Sequence, residues 1–193
     1  IPDLFKESLQ GIQIGDLKYP ASIFTLWTEA ERNAIGVYTV EIEETNKKDE
    51  EWYINTNITY AFDSGKVTGT YGTSTARAIA DTKWTQKEID DGDAPAGADT
   101  NTVKNEGLKT QLIRTVKAQA QGILNETDWY VTRKAEEDIA IPSSITTHRK
   151  AVRTKQAAME TSITNAADTP ALETLYTRND SGVRPLGDLP TLE

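Results

Sequence analysis

The chain has 193 residues, with 21 Lys and Arg against 30 Asp and Glu, one His and no Cys. That inventory excludes disulfides, thiolate-bound zinc or iron–sulfur clusters, thiol nucleophiles and multi-His metal centres, and it leaves a Ser-His-Asp triad only His148 to use. A net charge of −9 opposes binding to a polyanion, so no nucleic-acid partner is expected, and no apolar run approaches the ~20 residues of a membrane-spanning helix.

Length allows one domain or two small ones, and 37% hydrophobic residues allow a modest core. No signal peptide is visible, and Ile1 in place of Met fits a start that is missing or cleaved. Threonine occurs 27 times, often in polar stretches between apolar patches. β-Branched Thr suits strands and helix caps but adds little to a core, which predicts exposed strands and connections that order against partners.

Residues 1–18 read as a lead-in with one short strand at Ile12 and Ile14, ending at Gly15-Asp16. Tyr19-Pro20 opens an apolar segment, and Thr28 with Glu31 has capping-box spacing. Trp27 precedes that cap as a staple would, and Gly36 supplies the stop, so a helix of about two turns is expected between them. Residues 37–43 alternate, with Tyr38, Val40 and Ile42 on one face. From Trp52 the same parity collects Ile54, Ile58, Tyr60 and Phe62, then Asp63-Ser64-Gly65 turns the chain and 66–71 returns as the paired strand.

Residues 90–100 carry four Asp, two Gly and one Pro and read as a solvated linker. After Gly107 the period becomes helical. Leu112, Val116, Ala120 and Ile123 share a stripe flanked by Leu108, Ile113 and Leu124. A second helix starts near Trp129, capped by Thr127 or Asp128, and runs to about Asp138. A third starts at Pro142-Ser143-Ser144 with Ile145, His148, Val152, Met159 and Ile163 on one edge, and a short fourth starts at Thr169-Pro170. The predicted fold class is α+β: a β-rich part with one short helix over 1–90, an acidic, Gly-containing linker over 91–106, an antiparallel helical hairpin module over 107–176 and an extended tail over 177–193. Trp129 is the expected anchor of the hairpin.

Groupings that could carry chemistry fail on spacing. Glu41-Glu43-Glu44 and Glu136-Glu137-Asp138 lack an arrangement that sets two carboxylates ~5–10 Å apart across a sugar. Asp90-Asp91-Gly92-Asp93 lacks the alternating ligands and terminal Glu of an EF-hand. The sequons at Asn57, Asn125 and Asn179 arise readily in a Thr-rich chain, and no Gly-Lys-Ser/Thr follows Gly69 and Gly72. His148 on a helix reads as a surface or packing residue. No catalytic residue, cofactor or metal ligand is therefore expected.

The most specific constellation is Leu124-x-x-Thr127-Asp128-Trp129-x-x-x-Arg133-x-x-Glu136, followed by Ile141-Pro142 and His148-Arg149-x-x-x-Arg153. Arg133 and Glu136 can pair weakly, and Arg149 and Arg153 lie one turn apart. This order resembles a helical module of tailed-bacteriophage tail-fibre and tail-fibre-assembly proteins. Tyr19-Pro20-Ala-x-Ile23-x-x-Leu26 with Ile35-Gly36-Val37 is similar to the region preceding that module, and Arg184-Pro185-Leu186 to its proline-punctuated tail. Together these cover about 100 residues; His148 stands where Tyr is commoner, and residues 67–100 have no counterpart. The resemblance implies a non-catalytic virion structural protein of the tail or tail fibre, serving fibre attachment or host contact. It would be present in the host cytoplasm during assembly. The implied partners are other tail or tail-fibre proteins and the host surface, with an oligomeric state in the particle. The alternatives are a tail-fibre assembly chaperone and, third, a carbohydrate-acting tail enzyme.

Overall fold

Two periodicities divide this chain, and a computed structural model, describing residues 10–192, turns them into a mixed α+β structure that is 40% helical and 17% strand. Small sheets occupy the N-terminal part and helices the C-terminal part. The chain forms two compact units that meet in sequence between Thr75 and Ala76. The lead-in expected over 1–18 lies outside the described residues up to position 9.

In the first unit, β1 (Ile12–Ile14) and β2 (Leu17–Tyr19) pair antiparallel across Gly15-Asp16. Two short helices follow, α1 (Ile23–Leu26) and α2 (Glu29–Ala34). The capping box is present: the Thr28 hydroxyl accepts from Glu31 N at 3.3 Å, and Thr28 N donates to the Glu31 carboxylate at 2.8 Å. The staple takes a different form. Trp27 packs edge-on against Tyr19, with ring centroids 5.9 Å apart, and its carbonyl accepts from Arg32.

Three strands then build the largest sheet, in the order β3 (Val40–Glu43), β6 (Lys66–Tyr71), β5 (Ile58–Asp63). β5 and β6 form the expected hairpin around Ser64-Gly65, both at positive φ, as a tight two-residue turn requires. β3 joins β6 in parallel, and the segment from 44 to 65, containing β4 (Tyr53–Ile54), is the crossover that such pairing needs. The register places Val40, Ile42, Ile58, Tyr60, Phe62 and Val67 on one side of the sheet, matching the parity read from sequence. The parity breaks at Ile54: Trp52 and Tyr53 are buried and Ile54 is exposed, because β4 is only two residues long.

The second unit opens with β7 (Thr75–Ala76) at the junction, then β8 (Thr82–Lys83), α3 (Gln86–Asp90) and β9 (Val103–Asn105), with β9 antiparallel to β8. The stretch expected as a linker over 91–106 thus holds a strand, and the units divide well before it. Its acidic side chains serve as local acceptors: Asp99 accepts from the backbone N–H of Asn101 and of Thr102, both at 2.9 Å. Among the described residues up to position 90 there are three short helices where one was expected.

Helix α4 (Leu108–Asn125) buries Leu108, Leu112, Val116, Ala120 and Leu124, one residue every fourth position. Helix α6 (Ser143–Asn165) buries Ile145, His148, Arg149, Val152, Met159 and Ile163. The two run antiparallel, since Lys109 reaches the Thr164 carbonyl at one end and Arg149 the Leu124 carbonyl at the other. Helix α5 (Asp128–Glu137), between them in sequence, buries no residue. The expected hairpin of consecutive helices is therefore a pair of α4 with α6.

Trp129 is not its anchor. The indole is 51% exposed and stacks on Tyr130, with centroids 3.9 Å apart, and under the Arg133 guanidinium at 4.6 Å. The physical reason is that Trp129, Tyr130 and Val131 are consecutive and so spread around α5 instead of lining up as a stripe, and none of its residues is buried. Trp129→Ala is accordingly expected to change stability by less than ~1 kcal/mol, read from urea unfolding of the full chain.

Helix α7 (Thr169–Tyr176) starts as expected, with Pro170 in its first turn and Asp168 accepting from Ala171 N at 2.9 Å. The described residues of the tail, 177–192, have no regular secondary structure, yet the chain packs back on the helices. Leu186 is buried, its N–H bonds the Leu175 carbonyl at 3.0 Å, and its carbonyl accepts from Lys155 at 2.8 Å. Leu189 packs on the cluster of Ala120, Leu124 and Val152.

Candidate functional site

Where α4 ends, its last carbonyls need partners, and the chain must turn within three residues to begin α5. The partner comes from α6. Arg149, 7% exposed, donates through Nη1 to the Leu124 carbonyl at 2.7 Å and to Thr127 Oγ1 at 2.6 Å. Its Nη2 donates to Asp128 Oδ1 at 2.8 Å. Thr127 is itself buried and donates its hydroxyl back to the Leu124 carbonyl at 3.1 Å. One guanidinium fork thereby ties the end of α4, the turn and the start of α5 to the second turn of α6. The sequence expectation of Thr127 or Asp128 as a side-chain cap for α5 is corrected here: neither caps it, because both are committed to Arg149.

The other residues weighed in the sequence lie apart from this lock. His148 is buried beside Arg149 on α6, with Nε2 lacking a hydrogen-bond partner, so it is a packing residue rather than a surface one. Arg153, one turn on, is exposed and lines an open groove of about 720 Å³ with Gln121, Gln156 and Glu160. Arg133 and Glu136 form no ion pair with one another; Arg133 instead covers the rings of Trp129 and Tyr130. Glu41 pairs with Lys66, Glu44 with Lys47 and Asp91 with Lys87. Among the described residues, no three His, Asp or Glu side chains converge as a metal site, and no helix is long and apolar enough to cross a membrane.

One electrostatic feature escaped the sequence reading. Glu88 accepts an ion pair from Lys104 of β9 and closes a capping box with Thr85, whose N–H and hydroxyl donate at 2.9 and 2.8 Å. Lys104 also lies over the Trp84 ring at 4.8 Å. The Thr-x-x-Glu spacing matches that of Thr28 and Glu31, so the signal was available. The Lys104 ammonium, then the Thr85 backbone and hydroxyl, hold the Glu88 carboxyl down to about 2, from an ordinary value of 4.5. A carboxyl depressed in the folded state stabilises it above the ordinary value and loses that contribution as pH falls through the folded value. The clasp of α3 on β9 should therefore hold at pH 5 and loosen between about 4.5 and 2. The Glu88 carboxyl carbon shift, followed by NMR titration, should show a midpoint near 2 that rises in Lys104→Met.

No protein-family model, curated protein or solved structure matches this chain.

Proposed function

We propose that the chain is a non-catalytic structural component of a bacteriophage tail or tail fibre, whose partners are other proteins of that assembly. The observation that supports this reading is the spatial convergence of four of the residues that carry the resemblance. Leu124, Thr127 and Asp128 come together on Arg149, so the motif works as architecture that fixes how one helix leaves another. Exposed apolar side chains in both units suit a protein that is covered by neighbours: Leu17 is 63% exposed, Leu26 78%, Trp129 51% and Val183 58%. Quantitative mass spectrometry of purified particles tests the reading. Presence in a fixed copy number per particle supports it; absence from finished particles, with presence in infected cells, favours an assembly chaperone instead.

A further inference from the structure

Helix α5 is held firmly at its entry by Arg149 yet buries none of its own residues, and its surface carries an uncompensated pattern. Trp129, Arg133 and Glu136 recur at i, i+4 and i+7 and so lie along one stripe. Trp129 is half exposed, and neither Arg133 nor Glu136 has an ion-pair partner among the described residues. Ile139, just past the helix, is 43% exposed.

We infer that this stripe binds a second copy of the same chain, with the two α5 helices antiparallel about a two-fold axis. Setting Arg133 opposite Glu136 of the second copy sets Glu136 opposite Arg133 of that copy, so the two charges left open in one chain are closed twice across the axis. In that register residues 132–137 of the two helices lie side by side, and Trp129 stands just beyond the end of the second copy's helix. Within that overlap Glu137 stands opposite Thr132, so no carboxylate faces a carboxylate. Antiparallel packing also opposes the two peptide dipoles, their favourable side-by-side arrangement. That self-complementarity is what selects a second copy over a different protein, and it does not depend on the function proposed above.

Two ten-residue helices cover less than the ~1,200 Å² of a standard interface, so association should be weak and visible only at high concentration. Sedimentation velocity of the full chain, from micromolar to about millimolar, should show a reversible monomer–dimer equilibrium. Arg133→Glu and Glu136→Arg should each weaken it at least ~ten-fold by opposing like charges. Mixed one to one, the two variants should associate again, because each heterodimer restores both opposite-charge contacts. Far-UV circular dichroism checks that both variants keep their helices, Glu136 being exposed and Arg133 half-buried. A chain that stays monomeric throughout, or a mixture that associates no better than either variant alone, overturns the inference.

Discussion

Arg149→Ala is expected to destabilise the helical unit by about 2–4 kcal/mol, the larger part of it from the buried acceptors that lose a charged donor. The guanidinium satisfies Thr127 Oγ1 and reinforces the Leu124 carbonyl, both buried residues at and just past the end of α4, and Arg149 itself is buried. Removing it leaves a void as well as weakened polar groups. Asp128→Ala should cost far less, below ~1 kcal/mol, since that carboxylate is 49% exposed and is rehydrated when the ion pair is lost. Arg149→Lys should recover little. A single ammonium does not span a carbonyl, a hydroxyl and a carboxylate in the planar fork that the guanidinium provides. Urea unfolding monitored by helical circular dichroism reports mainly on this unit, because α4 to α7 carry most of the helix. An Arg149→Ala midpoint equal to that of Asp128→Ala would show that the exposed ion pair, and not the buried fork, is what matters.

That lock also marks where sequence reading stopped. Helix α4 was legible because its burial depends on a local period: Leu112, Val116 and Ala120 announce a stripe whatever they pack against. The β5–β6 hairpin was legible for the same reason, since Asp63-Ser64-Gly65 is a local turn between two alternating runs. Arg149 pairs with groups 21 to 25 residues away, and nothing in its own neighbourhood says which helix end it will serve. Trp129 failed for a related reason. Large aromatic area predicts burial only if the helix that bears it has an apolar face to turn inward, and α5 has none. The parallel pairing of β3 with β6 was invisible because it joins strands across a crossover, where no turn residue records the partner. The acidic run before residue 100 misled in the opposite direction: Asp99 looked like solvent-seeking chain but accepts from backbone N–H groups two and three residues away.

Gly107→Ala should be among the most damaging single-methyl changes in the protein, at about 3 kcal/mol or more. Gly107 precedes the first turn of α4 at φ −75°, so its backbone conformation suits any residue and the objection is purely one of space. A Cβ there would stand 2.3 Å from the Ala80 carbonyl carbon and 2.6 Å from the Ile79 oxygen. These are backbone atoms, with no flexible side-chain end to swing away. They are also fastened in place: Leu108 N bonds the Ala78 carbonyl at 3.0 Å, Lys109 N the Ile79 carbonyl at 3.1 Å, and Gly107 N the Asp81 carboxylate at 2.7 Å. Making room for one methyl group therefore means giving up several hydrogen bonds that satisfy the opening N–H groups of α4. Gly122 provides the control within the same helix. It is exposed, nothing lies within 4 Å of its would-be Cβ, and Gly122→Ala should stabilise by up to ~1 kcal/mol through helix propensity alone. Opposite shifts of the unfolding midpoint for the two substitutions are expected; a Gly107→Ala protein as stable as the parent would mean that the segment around Ala80 is not packed against the start of α4.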